Sequence, residues 1–329
     1  MKHLSILVPD EQTTMSTLAC IIGSHQVFAE ANRFTERRGR QPVFTIDLVA
    51  ATRHRPLKDS LVTLKKHVAV DDVRRTDLIL IPASGIRNYA LAAKNNRRLI
   101  DWIRAQHHRG AEVGSMCAGG FTLAATGLLE GKVCSTHWAL ASEFKELFPE
   151  VLLQTDQLIT DEDGIYTNGG AYSFLQLLMY LVEKFYDRKT AIHCAKYFQV
   201  DLDRGLQAGF AIFSGYKKHQ DDMILKAQTY LEKNFAEGIS IEALSSEFAT
   251  GRRTFDRRFI KATGLTPLDY LQRVKVEAAK KELEGSKKSV REIMYDVGYT
   301  DTKAFRSVFH RITGLSPVAY KSKYNRASS

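Results

Sequence analysis

The chain has 329 residues, of which 44% are hydrophobic and 26% charged, and its net charge is +10. Its length is sufficient for two domains with separate cores, and its composition is that of an ordinary soluble protein. No run of eighteen apolar residues occurs, which excludes a typical transmembrane helix, and the apolar start over residues 4–8 is too short for a signal peptide. Four widely spaced cysteines never form a C-x-x-C pair, which argues against a zinc site or a disulfide framework. We therefore expect a cytoplasmic protein.

Strand and helix patterns alternate over the first two hundred residues. Short β-branched runs predict strands, and periodic stretches predict helices, in the following places: strands at 4–8, 43–49, 78–82, 111–115 and 164–168, and helices at 90–109, 119–126 and 171–186. Strands alternating with helices imply a parallel sheet that is covered on both faces. We therefore expect a doubly wound α/β domain over residues 1–200. Its apolar helix 171–186 is either a dimer interface or a core helix.

Strand signals stop after about residue 200. Three glycines and a charged KKHQDD run predict a linker over residues 201–220, and everything beyond it reads as helix and turn. An amphipathic stretch at 221–234 and a Ser240 cap predict an all-helical C-terminal domain, residues 221–329. Lys and Arg outnumber Asp and Glu by 22 to 14 in residues 216–329, but only by 25 to 23 in residues 1–215. This asymmetry favours a polyanionic partner, with nucleic acid ahead of a membrane surface.

An internal duplication lies in the C-terminal part of the chain. Residues 255–270 read FDRRFIKATGLTPLDY and residues 305–320 read FRSVFHRITGLSPVAY, with seven identities at an offset of fifty. At the same offset, Glu242 matches Glu292 and Thr250 matches Thr300. In each copy two phenylalanines one turn apart face inward, Thr-Gly ends the helix, and a Thr-Pro or Ser-Pro step starts the next one. With a short helix ahead of each copy, the pattern predicts two helix-turn-helix units, the alternative being a helical repeat for protein contact.

The exposed face of each second helix supplies the candidate DNA contacts. These outward positions are Arg252, Arg253, Asp256, Arg257 and Lys261 in the first copy, and Thr302, Lys303, Arg306, Ser307 and His310 in the second. Arg253 and Arg257 share a face and are the candidates for base reading, because Arg can form a paired hydrogen bond with guanine. Basic residues near the end of the connecting helix are candidates for phosphate contact: Lys280, Lys281, Lys287, Lys288 and Arg291.

Residues 221–323 resemble the AraC-type DNA-binding domain, in which a long helix, here about 267–283, joins two helix-turn-helix units. The motifs are R-T-F-D-R-R-F with T-G-L-T-P, and V-G-Y-T-D with F-x-x-x-F and T-G-L-S-P-x-x-Y. The resemblance implies a sequence-specific transcription regulator that binds double-stranded DNA, with RNA polymerase as a candidate further partner. Ser245 and Tyr295 stand where the family usually has a small Ala. Ser307 stands where Arg is common, which implies weaker base reading by the second unit.

A cysteine stands at a predicted strand-to-helix turn in the first domain, within GSMCAGGF at 114–121. On such a turn the helix N-terminus would lower the pKa of the Cys117 thiol, and Ala118 and Gly119 would let a ligand reach backbone N–H groups. His137 is a candidate partner of this thiol or a structural histidine, and Gly169 either lines the same pocket or only makes a turn. The other three cysteines are most simply core residues.

The stretch from Cys117 through LLEGK to THW resembles the PfpI-like branch of the class I glutamine amidotransferase superfamily. Together with the AraC-type unit it resembles the GlxA-like regulators. Active enzymes of the superfamily place a carboxylate near the cysteine, whereas Ser16 stands there in this chain. Without this carboxylate we expect no catalytic role, and we expect the domain to sense a small-molecule effector and to provide a homodimer interface. We expect neither a cofactor nor a metal.

Three interpretations of Cys117 stay open: a ligand-pocket or reversible oxidation position, an inert remnant, and a nucleophile. For the whole chain, the alternatives are a cysteine-dependent amidohydrolase or deglycase tethered to nucleic acid, and a protein-interaction scaffold.

Overall fold

The computed structural model describes residues 1–9, 14–52, 57–58, 63–64, 67–84, 95–202, 212–213, 215, 217 and 219–325. The chain divides into two compact units, Met1–Gln207 and Ala208–Ser329. The finer limits 1–200, 201–220 and 221–329 stay predictions. Among the helices described, none is long and apolar enough to cross a membrane.

The N-terminal unit, Met1–Gln207, is built on a mostly parallel sheet. Its strands are β1 (Lys2–Val8), β2 (Phe44–Ala50), β3 (Leu57–Lys58), β4 (Thr63–Leu64), β5 (Val68–Ala69), β6 (Leu78–Ile81), β7 (Glu112–Met116), β8 (Val133–Cys134), β9 (Leu152–Leu153), β10 (Ile159–Glu162) and β11 (Ile165–Asn168). Seven of them form a sheet in the order β10-β11-β7-β6-β1-β2-β5, parallel except for the β10–β11 pair. β3 with β4, and β8 with β9, form two small separate ladders.

Helices cover both faces of this sheet. They are α1 (Met15–Arg37), α2 (Arg97–His108), α3 (Gly119–Ala124), α4 (Ala141–Leu147), α5 (Phe174–Phe185) and α6 (Arg188–Phe198). One apolar core joins α1, α5 and α6 to the sheet through side chains such as Phe28 and Leu178, which are fully buried. A second core joins α2, α3 and α4 to the opposite face, with Ile103 and Phe144 at its centre. The predicted doubly wound α/β fold is confirmed.

Helix α1 is the largest element that the sequence analysis did not assign. Thr14 caps its first turn in a reciprocal hydrogen-bonded box with Thr17. Helix 171–186 begins later than predicted, at Phe174, and its Leu177 and Leu181 are fully buried, which supports its interpretation as a core helix. The described part of the predicted helix 90–109 is α2, and residues 90–94 lie outside the described residues.

In the C-terminal unit, Ala208–Ser329, the described secondary-structure elements are all helices. Its helices are α7 (Asp222–Lys233), α8 (Ile241–Glu247), α9 (Arg252–Thr263), α10 (Pro267–Gly285), α11 (Val290–Asp296), α12 (Thr302–Thr313) and α13 (Pro317–Tyr324). Each repeat has its own apolar core, and the paired phenylalanines of α9 and α12 are fully buried. Gly264 and Gly314 end these helices in the left-handed conformation, as predicted. Thr266 and Ser316 then cap helices that start with proline.

The two repeats do not keep one offset throughout. Ser240 caps α8 and Ser289 caps α11, and Ala249 and Gly298 both have positive φ, so the first helices correspond at an offset of forty-nine. The identity of Glu242 with Glu292 therefore does not mark equivalent positions, because the second turn is one residue longer.

The same shift changes the comparison of Ser245 with Tyr295. Ser245 is buried and its hydroxyl donates to the carbonyl of Glu242, whereas Tyr295 is 48% exposed. The position of the second unit that matches Ser245 is Met294, which is buried. The predicted equivalence of Ser245 and Tyr295 is therefore wrong, and the two units place a hydroxyl and a thioether at the same buried position.

Candidate nucleic-acid interface and cysteine site

Helix α9 presents a basic surface opposite its buried phenylalanines. Phe255 and Phe259 fix the inward face, and Arg253, Arg257 and Lys261 are exposed on the other side. Arg253 and Arg257 are four residues apart and therefore lie one above the other on one face. Guanidinium groups arranged in this way can reach base edges or phosphates of a duplex.

Two of the predicted contact residues on α9 are bonded to each other. Nε of Arg252 donates to both carboxylate oxygens of Asp256 at 2.9 Å, and Nη1 of Arg252 bonds Glu242 of α8. Arg258, also exposed, is held by a two-point ion pair with Asp221, the cap of α7. These ion pairs connect α9 to α8 and α7.

Helix α12 forms the corresponding surface of the second unit. All five side chains that the sequence predicted are exposed and line one shallow groove of about 700 Å³, together with Arg311 and Ser316: Thr302, Lys303, Arg306, Ser307 and His310. Of the five predicted positions, two are Lys or Arg here, against four of the five on α9. The structure thus brings together the predicted positions of the second unit, with Ser307 exposed among them.

The candidates for phosphate contact separate into three groups. Lys280 is only 4% exposed and its Nζ donates to Glu277 at 2.9 Å, so its prediction as a phosphate contact is wrong. The sequence pattern gave a wrong prediction there because Lys280 lies on the buried face of α10. Lys288 is exposed but bonds Asp296 and Glu282. The remaining candidates are exposed: Lys281, Lys287 and Arg291.

Cys117 lies at the predicted strand-to-helix turn. It follows β7 directly, has a φ of 54°, and precedes α3 by two residues. Its backbone N–H donates to the carbonyl of Asn168 at 2.9 Å, and its own carbonyl accepts from the Thr136 hydroxyl at 3.0 Å. A Cβ at Gly119 would lie 2.6 Å from the carbonyl oxygen of Pro82, so only glycine fits where α3 starts against β6.

The predicted low pKa of the Cys117 thiol is wrong. Cys117 is 7% exposed, and burial raises its pKa to about 11, while a hydrogen bond involving the backbone of Ala118 lowers it only in part. Helix α3 has only six residues, so the stabilisation that its N-terminus offers a thiolate is small beside the cost of removing that charge from water. The thiol is therefore uncharged at neutral pH.

The residues predicted as neighbours of Cys117 have partners or burial of their own. Nδ1 of His137 accepts from the Ala139 amide at 3.1 Å, which caps the turn at Trp138–Leu140, and burial lowers the pKa of the imidazole. Ser16 lies half-buried in the first turn of α1. Gly169 is buried directly after β11, and its N–H donates to Leu158 at 2.8 Å.

Sequence reasoning missed the relation between Cys117 and Cys20. Cys20 is a core residue of α1, as predicted, and burial raises the pKa of its thiol to about 12. Cys117 is near enough to add a smaller electrostatic contribution in the same direction. Both thiols thus belong to one apolar core, which only the packing of α1 on the sheet could reveal.

The N-terminal and the C-terminal domain each match a known family. Residues 43–184 match the DJ-1/PfpI family model, and residues 244–323 match a helix-turn-helix domain model. The transcriptional regulator GbdR of Pseudomonas aeruginosa is 24% identical over 227 residues, which are 67% of this chain and 60% of GbdR. The transcriptional activator RhaS of Shigella boydii is 36% identical over 189 residues, 57% of this chain and 58% of RhaS. The chain thus spans about 60% of the length of these relatives.

A solved structure has the same fold as part of this chain. A protein from Vibrio parahaemolyticus assigned as a transcriptional regulator superposes with a TM-score of 0.53 at 26% identity, over 60% of this chain and 98% of its own. The chain therefore combines a DJ-1/PfpI-family domain with an AraC-type helix-turn-helix domain.

Proposed function

We propose that the protein is a sequence-specific DNA-binding transcription regulator. Each helix-turn-helix unit would insert the exposed face of α9 or α12 into the major groove of duplex DNA, at two segments about one helical turn, roughly 34 Å, apart. The relatives GbdR and RhaS are named as transcription regulators, which supports this assignment.

One observation carries the proposal. In both repeats, two fully buried phenylalanines fix a helix whose opposite face is polar and exposed, and in α9 that face carries Arg253 and Arg257. A helical repeat used for protein contact would be expected to expose apolar side chains at its centre. The faces of α9 and α12 are dominated by polar and charged side chains instead, which favours a polyanion as partner.

The salt dependence of binding tests this proposal. The affinity of the full chain for duplex DNA, measured by fluorescence anisotropy, is expected to fall about 10³- to 10⁵-fold between 50 and 200 mM salt if six to ten phosphates are contacted. The double variant Arg253→Gln, Arg257→Gln should show a smaller slope. Absence of measurable binding at 50 mM salt would contradict the proposal.

For the DJ-1/PfpI domain we propose a sensory role. A small-molecule effector would bind at the carboxyl edge of the sheet, near Cys117, Ala118, Gly119, His137 and Gly169. The location is supported by the general rule that ligands of open α/β sheets bind outside the carboxyl ends of the strands. A homodimer formed through this domain would couple effector binding to the DNA-binding units, with RNA polymerase as a further partner.

Two measurements separate the parts of this proposal. Light scattering on the eluting protein gives the oligomeric state, and a monomer at all concentrations would contradict the dimer. A thermal-shift screen of metabolites, repeated with Gly169→Val and Cys117→Trp, tests the effector site. A ligand that stabilises all three proteins equally would lie elsewhere.

One observation favours an enzymatic alternative. Cys117 has the positive φ of a nucleophile elbow, between a strand and a helix. Its neutral, buried thiol and the half-buried Ser16 at the place of the acid speak against catalysis. Turnover of amide or glyoxal substrates by the purified protein, abolished by Cys117→Ser, would establish the enzyme. Without such turnover the non-enzymatic assignment holds.

A further inference from the structure

A short arm precedes the first helix-turn-helix unit and packs onto it. We use this name for the described residues Ile212, Phe213, Gly215, Lys217 and His219, within the predicted linker. The Phe213 amide donates to Oε2 of Glu277 at 3.2 Å, and Lys217 Nζ donates to Oε2 of Glu232 at 2.5 Å. The arm is therefore tied to both α10 and α7.

Tyr270 of α10 is the point where these contacts meet. The edge of the Phe213 ring meets Tyr270 with ring centres 5.1 Å apart and planes at 75°. The Tyr270 hydroxyl donates to Oε1 of Glu232 at 2.5 Å and accepts from Gln228 at 3.1 Å. Gly215 has a φ of +66°, and a Cβ there would collide with the Tyr270 hydroxyl, so glycine is required for the arm to lie this close.

The same tyrosine supports the helix that carries the exposed arginines. The Tyr270 ring meets Phe259 of α9 edge-on at 5.3 Å, and both side chains are fully buried. Phe259 belongs to the inward face of α9, opposite Arg253 and Arg257. A continuous line of aromatic contacts thus runs from Phe213 of the arm through Tyr270 to the helix that would read DNA.

In the second helix-turn-helix unit, the tyrosine that corresponds to Tyr270 has an aromatic neighbour from the unit itself and not from the arm. Tyr320, the repeat counterpart of Tyr270, meets Phe309 at 5.5 Å and donates to Glu284 at 2.6 Å. Its other aromatic neighbour is Tyr324, with ring centres 4.6 Å apart, and Tyr324 comes from α13 of the same unit. Phe213 and Tyr324 therefore occupy matching roles, but only Phe213 comes from the segment that leads to the other domain.

We propose that Phe213 and Gly215 are positioning residues for DNA reading by α9, and that they act through Tyr270. With the arm docked, Tyr270 holds α9 in the orientation that places Arg253 and Arg257 against base edges. With the arm displaced, Tyr270 loses an aromatic neighbour and α9 loses its fixed orientation, while α12 is unaffected. This inference rests on the proposed DNA-binding function.

The test compares base preference in the two segments of a selected duplex. The affinity of the full-length protein is measured for duplexes substituted at each position. The segment whose base preference is lost in Arg257→Ala is the Arg257 segment, and the one whose base preference is lost in Arg306→Ala is the Arg306 segment. Phe213→Ala and Gly215→Ala are expected to weaken DNA binding about three- to tenfold, which is the usual contribution of one aromatic pair. They should also reduce base preference in the Arg257 segment only. Tyr324→Ala is the matched control and should flatten the Arg306 segment only.

Circular dichroism and thermal melting show whether each variant is folded, and Phe213→Leu replaces Phe213→Ala if the latter unfolds. Unchanged preference in both segments for folded Phe213 variants would overturn the inference, and so would an equal loss in both. A wild-type chain that binds without base preference in either segment would instead overturn the proposed function, and the inference with it.

Discussion

Nε of Arg252 lies 2.9 Å from both carboxylate oxygens of Asp256, one turn further along α9. The two residues therefore partly neutralise each other at the start of the helix, and Arg252 is oriented along the helix surface. Reading by α9 is thus left mainly to Arg253 and Arg257, although all four side chains were predicted as DNA contacts.

Arg257 and Arg258 make a matched pair for testing this division. Both are exposed arginines on α9, but Arg258 is held by Asp221, whereas Arg257 lies on the surface predicted to face DNA. Arg257→Ala should cost about 1–3 kcal/mol in binding and relax base preference at the position it reads. Arg258→Ala should leave base preference unchanged. Anisotropy titrations with substituted duplexes measure both, and a reversed order of effects would contradict the assignment.

The sequence predicted the double helix-turn-helix unit well because its signals are local. Buried Phe pairs, Gly helix ends and Pro starts each act within one or two turns, and the structure has all of them where the repeat placed them. Ser240 and Ser289 were placed correctly at the starts of the first helices, but Glu242 with Glu292 and Ser245 with Tyr295 were matched one residue off, because the extra residue lies in a turn with little pattern. The caps Ser240 and Ser289 and the backbone angles at Ala249 and Gly298 together reveal the correct correspondence.

Ala249 and Gly298 give a test of stability. Ala249 has a φ of 49° where the second unit has glycine, and a left-handed conformation costs a residue with a Cβ about 1–2 kcal/mol. Ala249→Gly should therefore raise the free energy of unfolding, by about 0.5–1 kcal/mol after the entropic cost of glycine. Gly298→Ala should lower it by about 1–3 kcal/mol, because its Cβ would collide with the carbonyl of Ala236. Urea unfolding followed by circular dichroism measures both, and destabilisation by Ala249→Gly would contradict this account.

The thiol of Cys117 should be unreactive in the native protein. Because burial raises its pKa to about 11, about one thiol in ten thousand is ionised at pH 7. Labelling by iodoacetamide should rise about tenfold per pH unit up to about pH 11 and then level off. Mass spectrometry of the labelled peptide, with Cys117→Ala as the control, follows this residue separately from the other cysteines. Rapid labelling at pH 7 would show an ionised thiol and revive the enzymatic alternative.

Asp187 should make the first domain sensitive to acid. Burial alone would raise its pKa, but hydrogen bonds from the Thr190 amide and hydroxyl and the ion pair with Arg38 lower it to about 2. The stabilisation is thus fully present above the unfolded pKa, near 4, and is lost as the pH falls towards 2.

Asp187→Ala should therefore lower the free energy of unfolding by about 0.5–2 kcal/mol at pH 7, the usual effect of losing a helix cap. Thermal melts between pH 2 and 7 should show this difference shrink below pH 4. A difference that stays constant down to pH 2 would mean that ionisation of Asp187 does not matter.

The cysteine site was predicted less well than the DNA-binding unit. The strand-turn-helix around Cys117 was visible in the sequence, because small residues and a strand pattern mark it. Its burial in one core with Cys20 was not, since this depends on how α1 packs on the sheet, and α1 itself was not assigned. The role of Phe213 was missed for a similar reason, because a glycine-rich, charged stretch has the composition of a linker whether or not it is docked.

Affinity selection of fragmented genomic DNA by the full-length protein, followed by sequencing, tests the central claim most directly. The account predicts a shared motif with two conserved segments about one helical turn apart, and loss of base preference in one segment when Arg257 is replaced by Ala. Recovery of fragments that share no motif, with binding that only depends on salt, would contradict a sequence-specific regulator.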